Sequence, residues 1–130
     1  MRDERITKIN ELLSVLRTEV PGTKGSFIMT TDGFLIASDL KDEYKIDHYD
    51  IGNLFLSLLE KGENFAEKIL KLPVLRYSLW SKNGDIQVFP LNKTILLIII
   101  SDSGSRPGLL LLRVSKLIDI LKMIINSNDK

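Results

Sequence analysis

The chain has 130 residues, 44% of them hydrophobic and 27% charged, and a formal net charge of +1. That length and balance suit one globular domain able to bury about two thirds of its unfolded surface, and they exclude a disordered chain. Scattered charges of both signs build no basic stripe for nucleic acid, and the lack of cysteine excludes disulfides, thiolate metal sites and cysteine nucleophiles together.

Ile6, Ile9, Leu13, Leu16 and Val20 recur at i, i+3, i+7, i+10 and i+14, the stripe of a first helix. Pro21-Gly22 ends it, since proline cannot continue a helix and glycine permits a left-handed exit. The charged start, Met1 to Arg5, leads straight into that helix and reads as no signal peptide. Gly25–Thr31 and Phe34–Ser38 are short β-prone runs joined by Asp32-Gly33, a strong hairpin signal. Asp47 is a suitable N-cap for a second helix, expected to run to about Leu72, where Pro73 stops it. Leu75–Ser81 and Ile86–Leu91, around Asn83-Gly84-Asp85, give a second hairpin. In the third strand Leu75, Tyr77 and Leu79 point one way, and Arg76, Ser78 and Trp80 the other. Asn92-Lys93 turns into a fifth strand, Thr94–Ile100. Its run from Ile95 to Ile100 has no polar alternation, so both faces should be buried at the centre of a sheet. That run is also far too short to cross a bilayer. The loop Ser101–Gly108 follows, with Ser105 as a cap. A third helix then carries Leu110, Val114, Leu117, Leu121 and Ile124, widened by Leu111, Ile118 and Ile125. Residues 126–130 read as a frayed polar tail.

The order is thus α-β-β-α-β-β-β-α, an α/β (α+β) fold in a single domain spanning 1–130. Leu13–Val20, the turn Pro21-Gly22-Thr23-Lys24-Gly25, and Phe27–Thr31 with Asp32-Gly33 and Phe34–Ser38 together resemble the roadblock/LC7 family, which takes in dynein light chain roadblock and MglB-like proteins. The loop Ser101–Gly108 running into Leu109–Leu112 is similar to that family's turn into its last helix. The resemblance implies a five-stranded antiparallel sheet in the order 2-1-5-4-3, with helices 1 and 3 on one face and helix 2 on the other. It also implies dimerisation through the third strand and paired second helices, a Ras-like small GTPase as partner, and no catalytic residues for GTP hydrolysis.

At 100° per residue, Ile51, Leu54, Leu58, Phe65, Ile69 and Leu72 fall in one arc of about 60°, which is expected to cover the sheet. Phe55, Leu59, Ala66 and Leu70 widen the arc to about 160°, more than an ordinary surface helix needs. Gly52 and Gly62 each cost about 1 kcal/mol against alanine inside a helix, which suggests close approach of another element there. The interface between copies, or with a partner, is therefore expected to use Gly52, Leu56, Leu59, Glu63, Ala66, Leu70, Tyr77 and Trp80. On that division Leu59→Glu should weaken association, whereas Leu58→Glu should unfold the chain.

Other candidate sites are weaker. His48 is the only histidine, so one copy can hold no histidine pair or Ser/His triad, and its acidic neighbours suggest an exposed side chain. Asp39, Asp42, Glu43, Asp47 and Asp50 lack calcium-loop spacing and read as a solvated stretch. Ser101–Gly108 opens a helix but carries no phosphate-loop pattern. Asn92-Lys93-Thr94 is a glycosylation sequon of a kind common by chance. No catalytic residue, cofactor, metal, nucleic acid or membrane insertion is expected. The sequence reads as a cytoplasmic, homodimeric scaffold for a small GTPase or larger assembly. The alternative is a small-molecule sensor of profilin- or PAS-like topology, against which the nearly all-aliphatic candidate core argues.

Overall fold

In the computed structural model, which describes residues 3–40, 45–102 and 107–126, the chain runs α1 (Asp3–Glu19), β1 (Thr23–Thr30), β2 (Leu35–Asp39), α2 (His48–Ile69), β3 (Tyr77–Ser81), β4 (Gly84–Pro90), β5 (Ile95–Asp102) and α3 (Pro107–Asn126). The strands make one antiparallel sheet in the order β2-β1-β5-β4-β3. The apolar run Ile95–Ile100 lies at its centre, as the lack of alternation required. Gly33 takes φ of 99° in the β1–β2 turn, a left-handed value that glycine adopts without strain. The register of that hairpin shifts between Ile28 and Met29, which absorbs one extra residue.

Alternation divides the sheet's side chains between two cores. Ile28, Phe89, Leu97 and Ile99 face α1 and α3, meeting Ile9, Leu13, Leu16, Leu110, Val114, Leu117 and Leu121. Phe27, Met29, Val88, Leu96 and Ile98 face α2 and meet Phe55. Helices 1 and 3 therefore share one face and helix 2 holds the other. The stripe of α1 packs as its spacing requires, and Arg113 Nε sits 3.5 Å from Glu19 Oε2, linking the start of α3 to the end of α1.

The outer edge of β2 is tied to α1. Ser38 N–H donates to Asn10 Oδ1 at 3.1 Å, and Arg17 Nε pairs with Asp39 Oδ2 at 2.6 Å. That carboxylate, through its hydrogen bond and then its charge, raises the Arg17 pKa further. Among the described residues, no side chain is bonded in this way to a backbone group of β3.

Several boundaries differ from the sequence reading; β5 runs to Asp102, so Ser101 and Asp102 belong to the strand and not to the loop after it. The helix α2 ends at Ile69, not Leu72, because Lys71 turns to φ of 58° while the N–H groups of Leu70 and Lys71 both bond Ala66 O. Strand β3 begins at Tyr77, so Leu75 and Arg76 lie outside the ladder. Asn126 belongs to α3 rather than to a tail. The expected Ser105 cap, Asp42 and Glu43 of the acidic stretch, and 127–130 of the tail lie outside the described residues.

Candidate interaction surface

The start of α2 is set by Asp47, whose carboxylate accepts from Tyr49 N at 3.0 Å and Asp50 N at 3.3 Å. From there the helix turns a different face to the sheet than its largest side chains suggest. Gly52, Phe55 and Ala66 are its buried residues, with Ile51, Leu58 and Leu59 half-buried beside them. Leu54 is 66%, Phe65 70% and Ile69 62% exposed. The sheet-facing line is thus rotated by roughly 60° from the expected row, at 100° per residue.

Small residues cause the rotation. A Cβ on Gly52 would lie 3.0 Å from Gly33 N and Thr31 O, both backbone atoms of the β1–β2 turn. A Cβ on Gly62 would collide with the Tyr77 ring. The glycines do mark close approach, but to the protein's own sheet. Gly52 and Ala66, expected at the interface, are therefore turned into the molecule, and Leu59 packs on the sheet with Leu58. The contrast drawn between Leu58→Glu and Leu59→Glu is lost with that division. Phe55 is the one large side chain of the helix that is buried.

Glu63 and Tyr77 are also bound within the chain. Glu63 carboxylate oxygens accept from Val74 N at 3.1 and 3.2 Å, and Tyr77 Oη donates to Glu63 Oε2 at 3.0 Å. Tyr77 Oη also lies 3.3 Å from Leu59 O. Burial first, then the hydrogen bond and charge of Glu63, push the Tyr77 hydroxyl up to about 12. Together these contacts fix how β3 leaves α2.

What remains outward is a set of large apolar side chains. Leu54, Leu56, Phe65, Ile69, Leu70 and Leu72 stand exposed on or just after α2, Leu75 and Leu79 on or before β3, and Trp80 on the other side of that strand. Leu56, Leu70 and Trp80 were expected here. Leu54, Phe65 and Ile69 were not, although the line Gly52, Phe55, Leu59, Ala66 was the available signal that another face packs inward. Along the outer side of β3, no strand among the described residues covers the backbone.

His48 corrects another expectation. It is half-buried, its ring set edge-on to Phe27 with centroids 5.3 Å apart, and Nε2 is buried without a partner. Among the described residues no three His, Cys, Asp or Glu side chains are grouped to hold a metal, and no helix is long and apolar enough to cross a membrane.

No protein-family model matches the chain, and no curated protein sequence does. Solved structures do. MglB of Myxococcus xanthus superposes with a TM-score of 0.81 at 24% identity, covering 98% of this chain and 94% of that one. The gliding protein MglB of Thermus thermophilus gives 0.84 at 13% identity, covering 98% and 96%. A roadblock/LC7 domain of Streptomyces avermitilis gives 0.75 at 14% identity, covering 89% and 96%.

Proposed function

We propose, from the roadblock/LC7 fold that the chain has over nearly its full length, that it is a non-catalytic, cytoplasmic scaffold, a homodimer joined through β3 and α2, that docks a Ras-like small GTPase. The observation that carries the proposal is the surface of Leu54, Phe65, Ile69, Leu70, Leu75 and Leu79 beside an unpaired strand edge. Monomeric proteins rarely expose so many large apolar side chains together, and a bare edge invites another strand. A twofold pair satisfies both at once, because one patch can face its own copy. The GTPase partner is the part the resemblance implies, and the exposed apolar surface is compatible with it.

Two measurements test this. Sedimentation equilibrium at micromolar concentration should give a mass near twice that of the chain, and a monomer would overturn the dimer. Ras-like GTPases from the same source should then be retained on the immobilised protein, and failure of every one to bind would overturn the docking role. Any faster GTP hydrolysis would come from the partner's own site being shaped, with no single side chain of this protein essential.

A further inference from the structure

On the face of the sheet that carries α1 and α3, the apolar side chains give way to a polar row at one end. Trp80 of β3, Asp85 of β4 and Ser101 of β5 are direct partners across neighbouring strands. By alternation they point to the same side as Phe89 and Ile99, away from Leu79 and α2. Partners directly opposite hold their Cβ atoms about 4.5–5.5 Å apart, so the Trp80 ring and the Asp85 carboxylate are neighbours on one surface. Trp80 is 70% exposed and Asp85 half-buried. A strand added along the edge of β3 would take up backbone groups and leave this face open. The pair is therefore separate from the apolar side chains on α2 and belongs to one copy.

Asp85 is held from beneath. Ser78 Oγ donates to Gln87 Oε1, and Gln87 Nε2 donates to Asp85 Oδ1 at 3.2 Å. Gln87 is buried, which fixes the direction of the carboxylate. Asp85 Oδ2 takes no hydrogen bond among the described residues, and the carboxylate makes no ion pair there, although Lys82 lies in the adjoining turn. The Trp80 indole likewise has no hydrogen bond or ring contact among them.

A half-buried carboxylate without a counter-charge, beside an exposed indole, is complementary to a cation. Asp85 would repel a phosphate or a carboxylate, and an apolar group covering it would leave Oδ2 unmet at a cost. An ammonium is strongly hydrated, whereas a guanidinium is weakly hydrated, planar, and able to lie on a ring while its N–H groups point at a carboxylate. One such contact contributes only about tenfold in affinity. That is too little to retain a free metabolite, and it suits a side chain presented within a larger interface.

We propose that Trp80 and Asp85 anchor an arginine side chain of a protein partner, its guanidinium stacked on the indole and donating to Asp85 Oδ2.

Trp80 is the only tryptophan, so a single indole N–H resonance reports the site in an NMR titration of the full chain. The probes are capped peptides, acetyl-Ala-X-Ala-amide with arginine, lysine or norleucine at X, at matched ionic strength. The arginine peptide is expected to move that resonance and the Gln87 side-chain amide saturably. The lysine peptide should bind several-fold more weakly, and the norleucine peptide not measurably. Asp85→Asn, which keeps the shape and removes the charge, should weaken the arginine peptide about fivefold. Trp80→Leu, read at the Gln87 amide, should weaken it by a similar factor. Absence of saturable shifts overturns the proposal, as does lysine or norleucine binding as tightly as arginine, indifference to either folded variant, or shifts centred on Glu63 and Tyr77. If Asp85→Asn misfolds, Trp80→Leu at its exposed position decides alone.

Discussion

Tyr77 Oη and Glu63 Oε2 stand 3.0 Å apart, so the first residue of the edge strand is fastened to the helix that overlies it. The same carboxylate holds Val74 N–H, which makes Glu63 the point where the connection between α2 and β3 is pinned. The bonds are partly exposed, so Tyr77→Phe should cost no more than about 1 kcal/mol in urea unfolding at neutral pH. Glu63→Ala should cost more, because Val74 N–H loses its acceptor as well.

The pinned hydroxyl gives a pH dependence of known sign. With the folded pKa at about 12 and the unfolded one at 10.0, the native state holds its proton over an interval in which the unfolded chain releases it. Stability from this group is therefore complete below pH 10 and declines as pH rises towards 12. Unfolding curves measured across that interval should fall more steeply for the native protein than for Tyr77→Phe. Parallel curves would refute the assignment.

Glycine positions on α2 offer a sharper discrimination. Gly52→Ala should destabilise by about 1–3 kcal/mol despite better helix propensity, since its Cβ would press on backbone atoms that cannot move aside. Gly62→Ala meets a side chain instead. It should destabilise the native protein, yet stabilise a Tyr77→Ala background by up to about 1 kcal/mol. A double-mutant cycle in thermal unfolding reads the change of sign.

The rotated face of α2 redraws which residues separate folding from association. Phe65→Glu and Leu54→Glu, both exposed in one copy, should leave the far-ultraviolet spectrum and melting of a monomer intact while lowering the sedimentation mass of the assembly. Phe55→Glu should unfold the chain, because an unpaired carboxylate would be buried against Phe27 and Ile98 at a cost of several kcal/mol. Equal effects on mass and folding from Phe55→Glu and Phe65→Glu would contradict the structure.

The sheet was legible because its signals are local and exclusive. Asp32-Gly33 permits a turn that few other pairs do, and a run such as Ile95–Ile100 can only be satisfied with a layer on each side. Helix α2 was legible in extent but not in orientation. Its apolar arc of about 160° is wider than contact with the sheet needs, so periodicity does not choose which part of that arc packs inward. Packing chose by size instead: Gly52, Gly62 and Ala66 allow a close approach that Leu54 and Phe65 would forbid. The partial burial of His48 was hidden for a related reason, since its polar neighbours Asp47 and Asp50 say nothing of the Phe27 ring that it meets. The start of β3 two residues after Leu75 is a boundary that no residue in Leu75–Ser81 announces.

The tie from Asn10 to Ser38 N–H and the pairing of Arg17 with Asp39 have a consequence for growth. A sheet with two bare margins can add strands without limit and become a fibre. Here one margin is blunted by α1, and only β3 remains to accept a neighbour. If that neighbour is an inverted copy, its own blunted margin lies at the far end, and addition stops after a single step. The side chains at one end of the molecule thereby set a finite size for whatever forms at the other.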